Sequence, residues 1–431
     1  MTTPAILRTR ARRVAARVIA SRPAYRPLSL VPSTALLVAR AAFRTGRDDI
    51  LRESLDRLAA RDRDGVMPLL LRADMLTFHG RYQEAFAHAR RAADRDPGSA
   101  GAAARTVRLG YRVLDRAEAE AAAVAAVGRF PRSTEVMWAA SMACDNPAQY
   151  ARVASAWRAA AGRPLDLLRV VRQLAVAAAR AGELEAATGW YREAIAHLLD
   201  GVRPPAAQVT RLGGLGALGA IRDLCRVLDR AGIPFFFAAG TALGLVRDRR
   251  PLGEDGDIDV GIFESDWRRE ALIELFTADP MFDLDLHPQS EKVGLRHRGG
   301  SPVDIFRFYE EDGRLWHDGV FVRWHNSPFQ VVRRRIGRLE VPLPADADRY
   351  LTESYGDWRT RRPSFDAFTD DAPNIEVTWP EYQRMHFVRR AYQLLVRGDR
   401  AAAVRELTRA GEDRLSERVR SMSPTSPSGA G

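Results

Sequence analysis

Cysteine is scarce in this chain. Cys144 and Cys225 are the two in 431 residues, which excludes a disulfide framework. With no third cysteine and no metal-type spacing among the eight histidines, a Cys/His zinc cluster is excluded as well. Lysine is nearly absent: of 66 basic residues, all but Lys292 are arginine. No apolar run reaches the roughly 18 residues that a membrane-crossing helix needs. Between about residues 34 and 200, glycine is sparse and strand-type alternation is missing, which argues against a sheet there. What remains is a globular composition, 46% hydrophobic and 28% charged, in a length that suits two or three domains. The formal net charge is +11. Arginine forks suit phosphates and carboxylates, so an anionic substrate or partner is one reading, and a coding bias toward alanine and arginine is the other. Charge alone does not separate nucleic acid, membrane surface and phosphorylated substrate.

Residues 1–33 form a basic segment whose first 30 positions hold seven arginines and no acid. Ile6, Leu7, Val14, Val18 and Ile19 alternate with them in a roughly helical way. A basic amphipathic helix on an anionic membrane, a transit peptide and a frayed tail all fit that pattern.

Residues 34–203 read as helices with a period. Gly46 and Gly80 lie 34 residues apart, and Gly182 lies three such periods beyond Gly80. Leu114 and Pro147 fall near the same phase, and Pro97, Pro131 and Pro164 each read as the end of a helical pattern. A period near 34 with a turn between two helices resembles the tetratricopeptide repeat, best in Gly80–Pro97, where Ala85 and Ala92 admit close packing. Such a stack implies a surface for a protein partner, or a structural spacer.

After Pro204 the composition changes. An apolar helical pattern over residues 215–231 leads into Ile233–Ala239, which reads as a buried strand. Gly240-Thr241 then opens an apolar helix, placing backbone N–H groups and a hydroxyl where a phosphate would sit, with Arg247 as an added charge. The run from Gly253 to Phe263 packs Glu254, Asp255, Asp257 and Asp259 into six positions ahead of Val260, Ile262 and Phe263. In a strand, residues two apart share a face, so Asp257 and Asp259 stand side by side and call for a neutralising cation. Magnesium prefers such oxygen ligands. Asp304, alternating with Val303, Ile305 and Phe306, completes a three-carboxylate set if its strand neighbours the first. The alternative is an exposed acidic turn.

At this point the sequence resembles the LicD/fukutin family of the nucleotidyltransferase fold. The resemblance rests on four ordered motifs: Gly240–Arg247, Asp257–Phe263, Val303–Glu311 and Tyr350–Trp358. The fukutin branch is the nearer one, through Phe308-Tyr-Glu-Glu, Leu315-Trp316 and Ala372-Pro-Asn-Ile. Together with the repeat pattern, the reading is an α+β chain: an N-terminal α-solenoid of helix pairs (34–203), then the nucleotidyltransferase-like mixed α/β domain (210–385) that the resemblance implies. C-terminal helices (386–420) and a disordered tail (421–431) complete the reading. The resemblance further implies transfer of a phospho-alcohol, such as ribitol phosphate or phosphocholine, from a CDP-linked donor to a glycan. Asp257, Asp259 and Asp304 match the family's metal-binding acids, for Mg2+ or Mn2+, and Gly240 and Thr241 match its phosphate-contacting turn. Two positions depart from the pattern: Leu252-Gly253-Glu254 stands where Pro-Trp often precedes the acid run, and Gly256 replaces its middle acid. The membrane anchor and cysteine-rich insert of some relatives are not expected, and the default location is cytoplasmic, with peripheral membrane contact through the basic segment.

Lys292, Arg296 and Arg307 join Arg247 as candidates for donor phosphates, each against a plain surface role. His317 is weighed as a general base, Asp357 as a helix cap, and Asp370 and Asp371 as acids that approach the site or form an ordinary loop. Two rivals to the transferase remain: transfer of a nucleoside monophosphate to a small molecule, RNA or protein, and an inactive scaffold. A nucleic-acid partner is not favoured.

Overall fold

The computed structural model describes residues 30–59, 65–204, 214–253, 255–285, 292–362 and 365–421. The basic segment and the C-terminal tail lie almost wholly outside these residues, as does Glu254. The chain opens with successive helices: α1 (Leu30–Arg44), α2 (Asp48–Ala59), α3 (Val66–Phe78), α4 (Tyr82–Arg95) and α5 (Ala100–Val113). They continue through α6 (Arg116–Arg129), α7 (Thr134–Ser141), α8 (Pro147–Ala160), α9 (Pro164–Arg180) and α10 (Leu184–Leu199). Their starts are written in the sequence. Ser99, Asp115, Ser133 and Asn146 each accept a hydrogen bond from the backbone N–H three residues on, capping α5 to α8. Pro97 and Pro131 follow helix ends, as expected. Pro164 instead opens α9, where its missing N–H costs nothing and its fixed φ suits the first turn.

Gly46, Gly80 and Gly182 all sit at positive φ, 69°, 69° and 82°, in turns that follow α1, α3 and α9. Gly398 repeats this at 82°, far along the chain, between α15 (Pro380–Val396) and α16 (Arg400–Arg409). The helical array resumes there. With α17 (Asp413–Ser421), these C-terminal helices share one core with the earlier ones. Leu174, Tyr191 and Ile195 belong to the same buried cluster as Val388, Ala391 and Leu407. The Tyr392 hydroxyl donates to the Leu168 carbonyl at 3.3 Å. The mixed domain is thus inserted into a helical array rather than appended to it.

That domain begins with α11 (Gly214–Arg230), whose Ile221, Leu224 and Leu228 are fully buried, and also carries α13 (Arg269–Ala278) and α14 (Ala347–Tyr355). Its sheet contains β1 (Phe236–Phe237), β2 (Ile258–Phe263), β3 (Phe282–Leu284), β4 (Lys292–His297) and β5 (Pro302–Glu311). It continues with β6 (Arg314–Asp318), β7 (Val322–Asn326) and β10 (Ile375–Val377), while β8 (Val331–Ile336) and β9 (Leu339–Pro344) form a separate hairpin. The path is β1-β2-β5-β6-β7-β10, with β4 pairing both β3 and β5. The first part of β5 therefore lies between β2, which runs parallel to it, and β4, which runs antiparallel. This centre is apolar on its buried positions: Ile258, Val260, Ile262, Val303 and Ile305 have no exposed surface. Phe236 is locked by ring contacts to Phe263, Phe308 and Phe329 at 4.9–5.1 Å.

The array holds the sheet through β3 and β4. Arg298, whose side chain is fully buried, pairs with Asp48 of α2 and lies over the Phe43 ring at 4.7 Å. Arg112 of α5 reaches Asp283 and the Leu284 carbonyl. Among the described residues, no helix is long and apolar enough to cross a membrane.

Candidate active site

β1 runs antiparallel to β2, and after Phe237 the chain turns through Ala238–Thr241 beside the start of β2. The sequence suggested an apolar helix opening at Gly240-Thr241. The structure has a five-residue helix, α12 (Ala239–Leu243), running into a π-helical turn over Gly244–Asp248. Glycine is needed where the two meet: a Cβ on Gly244 would stand 2.8 Å from both the Arg250 carbonyl and the Leu252 nitrogen, because the chain folds back across it. Ala239 has φ +43°, a region that a non-glycine residue occupies only when its surroundings hold it there. Its N–H donates to the buried Tyr350 hydroxyl at 3.0 Å, so one amide of the turn is already satisfied.

The turn is stitched to the acidic strand. Ala238 N–H donates to the Asp259 carbonyl at 3.1 Å, and Asp259 N–H donates to Thr241 Oγ1 at 2.9 Å. Thr241 is buried, and its oxygen serves the strand rather than facing outward. Gly240 leaves room for an acid that sequence reasoning left out of the site. A Cβ on Gly240 would run into the Asp255 carboxylate, with Cγ at 3.1 Å.

In the parallel pair β2–β5, Asp259 stands opposite Asp304. Asp257, two residues before Asp259, immediately precedes β2. The acids sense one another. Burial first, then the Asp304 charge, pushes Asp257 up to about 6 despite an opposing pull from Lys292. Asp259 is raised by burial and then by Asp257, Asp255 and Asp304. Lys292 Nζ lies 2.7 Å from Asp304 Oδ2. Hard carboxylate oxygens crowded against their own repulsion fit a divalent cation in donor type and charge. Among the described residues, no three such groups are already drawn into a closed ligand set, and one oxygen of Asp304 is engaged by the lysine.

Residues 232–346, which span the turn, the acidic strand and Asp304, match the profile of the LicD/FKTN/FKRP nucleotidyltransferase domain. The mixed domain is similar to LicD/fukutin domains over these residues. Among curated proteins, the chain is 24% identical over 166 residues to "Ribitol-5-phosphate transferase FKTN" of Homo sapiens. It is 25% identical over the same length to the Mus musculus protein of that name. The match covers 36% of this chain and 36% of each relative. An uncharacterized protein of Rickettsia prowazekii (strain Madrid E) is 23% identical over 159 residues, 34% of this chain and 58% of that protein. The chain thus spans about a third of the length of the FKTN proteins it matches.

The other candidate residues separate. Arg247 is half-buried and tied to Asp248 at 3.2 Å and to the Trp358 carbonyl at 3.2 Å, so it anchors the Trp358 loop. Arg296 pairs with Asp283 and lies over Phe78, at the array. Arg307 pairs with Glu264. Of the four proposed cations, Lys292 is the one in contact with a site acid. His317 is stacked between Phe308 (4.4 Å) and Trp324 (5.0 Å), and burial pushes it down to about 3, which makes it a core residue. Asp357 Oδ1 accepts from Thr360 N–H in the bend that follows Tyr355, and no described helix starts there, so it caps none. Asp370 pairs with Arg409, and Asp371 lies beside Arg390, so both face the C-terminal helices and not the acids. Both cysteines are buried and pushed up to about 12 by that burial, which leaves them no nucleophilic role.

Proposed function

We propose that the chain is a metal-dependent transferase that moves a substituted phosphate, a phospho-alcohol or phospho-sugar, from a CDP-linked donor to a glycan hydroxyl. The observation that carries this reading is the register of β2 and β5, which sets Asp259 opposite Asp304 with Asp257 two residues away. In this reading Asp257, Asp259 and Asp304 hold Mg2+ or Mn2+. Bound there, the metal neutralises a diphosphate and stabilises charge in phosphoryl transfer. Gly240 and Thr241 form the floor: the glycine keeps space open beside Asp255, and the threonine holds the backbone of Asp259. Arg247 contributes by anchoring the Trp358 loop behind this turn. Burial keeps the carboxylates in an environment where each added positive charge counts for more than it does in water. The FKTN relatives, named as ribitol-5-phosphate transferases, make a polyol phosphate the first donor to try.

The test is a thermal-shift and product-mass assay of the full chain with CDP-ribitol, CDP-choline and nucleoside triphosphates, with and without Mn2+. A Mn2+-dependent stabilisation by a CDP-alcohol, lost in Asp257→Ala, supports the proposal. Stabilisation by a triphosphate alone, with a nucleotide mass added to an acceptor, replaces it with nucleotidyl transfer. No response to any metal or nucleotide leaves the scaffold reading.

A further inference from the structure

The sequence uses arginine at every basic position but one, and that exception touches the acid cluster. Lys292 opens β4, where it pairs across to Phe306, while Gly294 pairs with Asp304. Lys292 and Asp304 are therefore diagonal neighbours on one face of the sheet. Gly294 puts no side chain over Asp304; even a Cβ there would lie 3.6 Å from Oδ1. The lysine stem passes the Phe306 ring, with Nζ 5.6 Å from its centroid, and reaches Asp304 Oδ2. Both side chains keep about a quarter or a fifth of their surface exposed, 26% and 20%, so the contact can open without unfolding. The residue type matters. A guanidinium clamps a carboxylate with a planar fork, whereas an ammonium is a compact point charge on a flexible stem and exchanges partners readily.

We propose that Lys292 is the resident cation of the acid cluster in the metal-free protein, and that it passes to the diphosphate of the donor when a divalent ion takes its place at Asp304. This rests on the transferase reading above. It makes Lys292 a competitor for the metal and a ligand for the nucleotide, two roles with opposite signs in one residue.

The experiment titrates the full-length chain with Mn2+ alone, then with CDP at saturating Mn2+, by calorimetry, in wild type, Lys292→Met and Lys292→Arg. Removing a unit charge beside a divalent ion is expected to tighten Mn2+ by about tenfold in Lys292→Met. Losing a charge-assisted contact is expected to weaken CDP by about tenfold or more. Lys292→Arg keeps the charge and is expected to recover part of the CDP affinity. A misfolded variant would lose both affinities together, so opposite movements exclude that explanation. Unchanged or weaker Mn2+ binding in Lys292→Met overturns the exchange, as does unchanged CDP binding. Wild type that takes up no Mn2+ overturns the transferase reading itself, and the exchange with it.

Discussion

Asp257→Asn is expected to stabilise the metal-free protein. In the folded chain this carboxyl titrates near 6 because it is largely buried and faces Asp304, while a free aspartate titrates near 3.8. The difference is about 2 units, or about 3 kcal/mol of unfavourable free energy once the group is ionised. The sign follows from proton counting. Between pH 4 and 6 the folded state binds the proton more tightly than the unfolded chain, so this group's stability contribution falls as pH rises through that window. Above pH 6 the cost is complete and constant. Asparagine keeps the shape and removes the charge. Chemical denaturation of parent and variant in chelator-treated buffer, from pH 4 to 8, isolates the acid cluster, because groups remote from it cancel in the difference. The variant should be more stable by about 3 kcal/mol at pH 7.5, with the advantage fading toward pH 4. Saturating Mn2+ should reverse the order, since the parent alone keeps all three carboxylates for the ion. An asparagine variant that is equally or less stable at pH 7.5, or an advantage that does not change with pH, would refute the argument that these acids are held against their own repulsion.

Three further outcomes follow from the packing. His317 is neutral in the fold, and burial holds it near 3, so stability is lost as pH drops below about 6.5; His317→Phe should remove about 2 kcal/mol of that loss by pH 5, read from paired denaturation curves. Gly261→Ala would drive a methyl to 2.6 Å from Phe236 Cε2, in a ring cluster with no slack, and should cost about 1–3 kcal/mol, partly restored by adding Phe236→Leu. Asp48→Asn leaves the buried Arg298 guanidinium without its carboxylate and should cost about 3 kcal/mol, with proteolysis separating the array from the domain faster than in the parent.

Much of the site was legible before any coordinates. The acid pair announced itself because Asp257 and Asp259 have strand spacing inside an apolar run, and Asp304 because it alternates with Val303 and Ile305. The motif Tyr350–Trp358 was recognisable as a unit, but its work was not. Nothing in the spacing says that the Tyr350 hydroxyl satisfies Ala239, 111 positions away in the chain. Asp255 was visible in the acid run yet left outside the site, because only the turn at Gly240 reveals which acid it admits. The four candidate cations looked equivalent in sequence. Tertiary packing sent Arg296 to the helical array, Arg307 to Glu264 and Arg247 to the Trp358 loop, and left Lys292 on the acids.

Local chemistry therefore determined what local chemistry can: which segments are helix, where Ser99, Asp115, Ser133 and Asn146 start them, where Gly46, Gly80 and Gly182 turn them, and which strand carries paired carboxylates. Those features depend on interactions within a few residues. The insertion of the mixed domain into the array needed the shared core of Tyr191 with Val388 to become a fact, with Gly398 repeating the turn of Gly46, Gly80 and Gly182. The meeting of Asp259, Asp304 and Lys292 likewise needed β2, β4 and β5 to find one another in register. That choice is made by burying Ile258, Val260, Val303 and Ile305 together. Burial between strands distant in sequence is a property of the whole fold, and it alone decides which charges must share one space.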